Sequence, residues 1–565
     1  LTKSKQLLVV LLPILAIGGY FLYQYWQEQR LVNTFTLVPS HALLVVECED
    51  VLTLQEDWAE SKPWKQIKAL PYPQTLLNRL DLLLRSKGAE DLLRKRKILA
   101  SLHTTTSNDF DFLFFLPVGK ENPNVEKVLR SFRQDPAYRA ETRNFGGIII
   151  NEITDQASGT RFSFIQHKNV LIGSYTPFLV EDVIRTVNSS TKSRWSSLHA
   201  ILAVPAAPVR IYVQGGTLSK LGQSLNKSAL SEDVAAWGKL VKVMQLTLSV
   251  EKDKLRLKGN ISARLSKEDA QFLGAFIGQR PQPIHCTKLI PLNTAVLYHW
   301  GFSNATQLQT DLHNYWALHE PETVKAQRTL INQYQVQPNT FFSWMDQELA
   351  LAVLEENTLQ PDQFLLAQTH NPTAAIRQLD ETANRLAQAE GISAFAETYG
   401  DTPIRQLAFP EFPAAIWGNA CRGFHQCFYA PLQGYIVFAN DIQALKRLLE
   451  DIRTENVWDK SEKQKAYLKE MTEKANYTVL ANTARTWPLL LQRAAPKWNA
   501  FLQVHQEELR KFERLAIQFR HDQKEVFHTQ LTLDYQEETT ATTLRDKFFT
   551  NANTLLDAPL RTTPT

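Results

Sequence analysis

Two stretches of the chain carry the same strand-turn-helix text 265 positions apart, and this repetition restricts the fold more than any other feature (427 minus 162). RFSFIQHKNVLIGSYTPFLVEDVIRT at 161–186 and QCFYAPLQGYIVFANDIQALKRLLEDI at 426–452 align without a gap when Phe162 is set on Cys427. In each, an apolar strand (Val170, Leu171, Ile172; Tyr435, Ile436, Val437) meets a polar break. Apolar residues then recur at helical spacing: Leu179, Val183 and Ile184 in one, Leu445, Leu448 and Leu449 in the other. A period that changes from two to nearly four at one turn marks a strand running into a helix.

The flanks repeat in the same order. Pro39, ahead of a strand at 42–47, answers Pro291, ahead of a strand at 295–299, at a spacing of 252 (291 minus 39). Arg210 answers Tyr477 at 267 (477 minus 210). Closing hairpins predicted to turn at Lys252-Asp253 and at His521-Asp522-Gln523 lie about 270 apart. Spacings that rise through a fixed element order are the trace of a duplication with loop insertions. Runs of strands with segregated helices predict an α+β fold with mostly antiparallel sheets. The predicted organisation is a cytoplasmic stub and transmembrane anchor at 1–26, a stalk at 27–36 and a first α+β unit at 37–270. A linker at 271–288, a second, homologous α+β unit in tandem at 289–536 and a polar tail at 537–565 complete it.

The anchor is read from residues 7–26, LLVVLLPILAIGGYFLYQYW, which hold no charge and end in aromatics suited to a membrane interface. From Leu7 through Pro13 to Trp26, a helix rising 1.5 Å per residue covers about 30 Å, one hydrocarbon core. Lys3 and Lys5 precede it, so the positive-inside rule puts the N-terminus in the cytoplasm. The bulk of the chain is then periplasmic, held at a bacterial inner membrane by one pass. A cleavable signal peptide competes, since Ala16-Ile17-Gly18 is a small-x-small site, but apolar and aromatic residues continue beyond it.

The remaining composition narrows the function classes. With 62 basic against 58 acidic residues, the chain lacks the basic stripe that nucleic acid requires. Four cysteines in 565 residues exclude a disulfide scaffold.

A proline before an Ala-led strand (Val38-Pro39-Ser40-His41-Ala42-Leu43), a first helix carrying Trp58 and Trp64, and the Val-Leu-Ile-Gly-Ser-Tyr of the repeated stretch form a pattern behind the N-terminal apolar segment. It resembles a family of single-pass bacterial envelope proteins known only as a domain of unknown function. The resemblance implies location and topology and supplies no catalytic residues.

Catalytic and cofactor motifs are not found: no HExxH, G-x-S-x-G, Walker loop or G-x-G-x-x-G. Ser224 and Lys227 fit S-x-x-K, but the K-T-G partner is missing. Asp109 and Asp111 read as a solvated strand start rather than cation ligands. Cys421, His425 and Cys427 are the one cluster with ligand character. A Cys421–Cys427 disulfide, favoured by an oxidising compartment, and two buried thiols stand level as readings. Metal is weaker, since five residues separate the cysteines and a fourth ligand is wanted. Cys48 and Cys286 lie near the first strand of each copy, and their pairing is left open. The runs Phe110, Phe112, Phe114, Phe115 and Phe341, Phe342, Trp344 read as core before they read as a lipid groove.

No catalytic, cofactor or metal residue is therefore predicted. The expected function is a non-enzymatic, membrane-anchored accessory or scaffold subunit that binds other envelope proteins. The alternative is a periplasmic carrier or chaperone sheltering lipid or unfolded envelope protein between its two units; other small ligands are not expected. The repeated helices exchange charge, Glu181, Asp182 and Arg185 becoming Lys446, Arg447 and Glu450. That change makes Lys446 and Arg447 the candidate partner contact, used by one copy only.

Overall fold

A computed structural model describes residues 33–85, 88–118, 123–189, 193–196, 207–230, 234–355 and 360–536. The first copy supplies β1 (Leu44–Cys48), β2 (Ile98–Thr106), β3 (Asp109–Pro117), β4 (Tyr138–Phe145), β5 (Ile148–Asp155), β6 (Arg161–His167), β7 (Val170–Ser174), β8 (Val209–Gln214), β9 (Val243–Val250) and β10 (Lys254–Ser262). The second supplies β11 (Thr294–Gly301), β12 (Met345–Leu354), β13 (Gln363–Thr369), β14 (Ala396–Tyr399), β15 (Thr402–Leu407), β16 (Cys427–Leu432), β17 (Tyr435–Ala439), β18 (Tyr477–Asn482), β19 (Phe512–Gln523) and β20 (Val526–Tyr535). Four helices matter below: α1 (Pro123–Gln134), α2 (Pro177–Asn188), α3 (Pro372–Ala389) and α4 (Ile442–Arg453).

The pairing order recurs between the copies. Antiparallel ladders run β4-β5-β6-β7-β3-β2-β1 in the first. They run β14-β15-β16-β17-β13-β12-β11 in the second. Register recurs too. Phe164 faces Gly173 as Tyr429 faces Phe438, both displaced by 265 (429 minus 164, 438 minus 173). Even the turns between these strands pass through equivalent left-handed residues, Lys168 at φ 52° and Gln433 at φ 46°. The helix starts correspond in position: α2 follows Thr176, whose side chain makes no cap hydrogen bond, with Pro177 in its first turn, and α4 follows Asp441, which accepts from the Ala444 N–H at 2.9 Å.

In the second copy the central strands are covered on both faces. Leu365 and Ala367 of β13, with Ile436 and Phe438 of β17, enter a core containing Trp316, Phe341, Phe342 and Trp344. Their neighbours Phe364, Leu366, Tyr435 and Val437 enter a second core with Leu445 and Leu448 of α4. Alternate residues of a strand point to opposite faces, so a strand buried on both reads as one continuous apolar run.

The predicted fold class is corrected on two counts. Among the described residues no helix is long and apolar enough to cross a membrane. The span predicted at 7–26, with Leu7, Pro13 and Trp26, lies outside the described residues, as does the tail at 537–565. Nor do the copies form two tandem units. Contacts divide the described residues at Arg210 rather than at 271–288, and residues 58–70 fall with the second unit. The reason is a shared ladder: β10 pairs antiparallel with β20 from Lys254–Asp534 to Ser262–Val526. The closing hairpin of the first copy thereby joins the sheet of the second, which runs β9-β10-β20-β19-β18-β11 and on to β14. Gly259 sits within this ladder because a Cβ there would lie 2.1 Å from the Gln245 carbonyl oxygen.

Candidate functional site

A buried set of ionisable groups lies on the α4 side of the second unit's sheet. His299 in β11 and Glu348 in β12 are both 0% exposed, and His299 Nε2 stands 3.1 Å from Glu348 Oε1. The contact is an ion-pair approach rather than an aligned hydrogen bond, and neither ring nitrogen has a hydrogen-bond partner among the described residues. Oε1 also accepts from the backbone N–H groups of His285 (2.9 Å) and Cys286 (3.3 Å), while Oε2 accepts from the Tyr435 hydroxyl at 2.5 Å. Burial pushes the Glu348 carboxyl upward, but the His299 ring, the Tyr435 hydroxyl and the His285 N–H together hold it below its ordinary value. Burial first, then the Glu348 charge, raises both the Cys286 thiol and the Tyr435 phenol.

This carboxylate ties together two strands, the start of β17 and the turn before β11. A buried charge persists only when its partners are in place. His299, Glu348 and Cys286 are 0% exposed and Tyr435 is 7% exposed, so the set is placed to order the sheet. The predicted strand at 295–299 ended on His299, and an ionisable residue bounding an otherwise apolar strand was the available signal.

The first copy carries ionisable groups at the same rungs. The β1–β2 and β11–β12 ladders place Glu47 opposite Leu99 and His299 opposite Ala350, so Glu47 answers His299 and Lys97 answers Glu348. Lys97 Nζ lies 3.0 Å from Glu47 Oε1, and Arg210 Nη1 lies 2.9 Å from Glu47 Oε2.

The residues singled out in the sequence are placed as follows. Lys446 is only 18% exposed and holds Glu397 of β14 at 2.6 Å, so it is already spent within the fold. Arg447 is 59% exposed and pairs with Asp362. Leu445 and Leu448 are buried, as are Val180, Val183 and Ile184. The disulfide reading of Cys421 and Cys427 is corrected: both are buried free thiols, one closing a short turn at Asn419–Cys421 and the other opening β16. Burial raises both thiols well above the ordinary range, and so they are inert. His425, largely exposed, pairs with Glu411 at 3.1 Å. Cys48 and Cys286 are free as well. Among the described residues no set of three or more His, Cys, Asp or Glu is arranged to hold a metal. Ser224 donates to the Lys220 carbonyl at 3.1 Å, while Lys227 lies beyond its helix and exposed. Phe341, Phe342 and Trp344 are buried in the core.

Comparison with curated proteins gives no match. Among solved structures, crystal form III of TP0453 aligns at 11% identity over 44% of this chain and 88% of that one, with a TM-score of 0.23, too low to carry an argument. Residues 99–534, which span both copies, match one family, and the chain therefore belongs to the proteins of unknown function grouped as DUF3352.

Proposed function

We propose that the protein is a non-enzymatic accessory or scaffold subunit of an envelope assembly, which recognises other proteins through one copy of its repeat. The observation that carries this reading is the behaviour of α2 and α4. Their buried faces stay apolar while their outer faces exchange sign, Asp182 and Arg185 standing where Arg447 and Glu450 stand in the other copy. A repeated fold whose exposed charge has diverged offers two different surfaces, and like charge against one partner would be penalised. The sealed state of His299 and Glu348 supports a structural use of the ionisable groups. The composition of residues 7–26 and the lysines before them support an envelope location.

Gentle detergent extraction of the full chain, followed by mass spectrometry of everything recovered with it, is the test. One protein in fixed stoichiometry, lost when Arg447 is changed to Glu and salt is raised, supports the reading. Recovery of the chain alone, or with lipid in place of protein, overturns it, the second outcome in favour of the carrier alternative.

A further inference from the structure

Going beyond partner binding, a second difference between the copies points to a ligand site in the first unit. A cleft of about 380 Å³ lies between α1 and the sheet β4-β5-β6. That volume is within the range of small-ligand pockets. Its apolar surface comes from Leu129 of α1, Ile153 and the buried ring of Phe164. Its polar surface comes from Arg133 of α1 and from Thr142 and Asn151, which are cross-strand partners. Glu141 and Glu152 border the cleft but are committed elsewhere. Glu152 is held by Arg143 (2.8 Å), Arg161 (3.2 Å) and Ser163 Oγ (3.2 Å), and Glu141 pairs with Arg139.

The second copy shows what belongs at this rung. Thr142, Asn151 and Phe164 lie side by side in the first copy, and Ala396, Arg405 and Tyr429 do so in the second. There, α3 supplies the missing acceptor: Asp380 Oδ1 takes the Arg405 guanidinium at 3.0 Å and the Tyr429 hydroxyl at 2.6 Å. A carboxylate from the chain itself thus satisfies the donors. In the first copy the helix brings a guanidinium instead of a carboxylate. Arg133 has one ion contact, at 3.9 Å from Glu126, itself shared with Arg130. Donors on Arg133, Thr142 and Asn151 therefore border an apolar surface with only the 3.9 Å contact to Glu126 on the Arg133 side, and a guanidinium meets carboxylates with fork geometry.

We infer that the cleft binds a small monocarboxylate with an apolar body. The carboxylate is taken by Arg133 with Asn151 and Thr142, and the apolar body lies on Phe164, Ile153 and Leu129. The ligand does in the first copy what Asp380 does in the second.

Decanoate, with decanol as the uncharged control, tests this by calorimetric titration into the full chain. The expected result is saturable binding of one decanoate per chain, at least tenfold tighter than decanol. Arg133→Gln should weaken it at least tenfold. Ala140→Trp, at an exposed β4 position bordering the cleft, should abolish it by filling the space. Both positions are exposed, so an unchanged melting temperature shows that each variant is folded. No saturable binding overturns the inference, as does decanol binding equally well or decanoate affinity unmoved in either folded variant.

Discussion

At one rung of the repeated sheet the copies place charges in reversed order, and the surroundings of those charges decide what they do. In the first, Glu47 is buried between Lys97 and Arg210, and Lys97 keeps 45% of its side chain in solvent. In the second, the anion has moved to the neighbouring strand as Glu348 and the His299 ring stands at the Glu47 position, with both sealed. The helix-to-strand bridges show the same exchange. Arg143 of β4 holds Glu181 of α2 at 2.8 Å, whereas Glu397 of β14 holds Lys446 of α4 at 2.6 Å. One turn along each helix, Arg185 lies over the Phe145 ring at 5.1 Å, and Glu450 accepts from the Tyr399 hydroxyl at 3.1 Å. What the fold conserves is the contact between two positions; the sign at either end is free to reverse if both ends reverse together.

The sharpest way to break this comparison is at the sealed rung. Glu348→Gln should cost about 3–5 kcal/mol, because it leaves a histidine and a tyrosine hydroxyl buried without their anion. Lys97→Met, at the matching but wetter position, should cost about 1 kcal/mol or less. Urea unfolding of the full chain measures both, and equal costs would end the argument that enclosure separates the copies. The Glu348 carboxyl is held below its ordinary value of 4.5, so its contribution is present above that pH and is lost as pH falls through the lowered value. The Gln variant should lack that acid-side loss.

A second effect belongs to the first copy. His103 is buried against Ser101 Oγ at 2.7 Å, and burial, then the charge of His41, lowers its pKa from 6.5 to about 3. The unfolded chain takes up this proton between those values and the folded chain does not, so stability falls as pH drops below 6.5. From pH 7 to pH 5 this one group should cost about 2 kcal/mol. Ser101→Ala with His103→Leu installs the residues of the matching second-copy rung, Ala352 and Leu354. An unfolding series from pH 7 to 5 should be flatter in that variant, and an identical slope would remove His103 from the account.

Smaller again is the exchanged bridge. Lys446→Glu should cost about 1 kcal/mol by setting two carboxylates together, and adding Glu397→Lys should restore most of it by adopting the first copy's polarity. A double-mutant cycle without coupling would show the two bridges to be unrelated. Least of all, Arg185→Ala should cost about 0.5 kcal/mol through loss of its contact with Phe145.

The sequence carried the duplication in its most buried part. Phe162 to Ile184 and Cys427 to Leu449 keep one spacing because two strands, a tight turn and a helix leave no room for an insertion. The charge exchange on α2 and α4 was visible as well. Its meaning was not, because Arg143 and Glu397 lie 38 and 49 residues before their helix partners (181 minus 143, 446 minus 397). Nothing local links them, so Lys446 read as a free surface cation. The same blindness hid the Glu348 network, assembled from β11, β12, β17 and a turn, and the division near Arg210. Strands such as β10 and β20 carry no mark of which neighbour they will meet.

That last pairing sets a clock. β10 is complete at Ser262, but the strand it must meet ends at Tyr535, 273 residues later (535 minus 262). At 5–20 residues per second, ribosomal synthesis leaves roughly 14 to 55 s in which the β9–β10 hairpin exists without that neighbour. Through this interval the nascent chain shows an unsatisfied strand edge, the feature on which chains most readily aggregate. That edge has to be kept from other chains until β20 has left the ribosome.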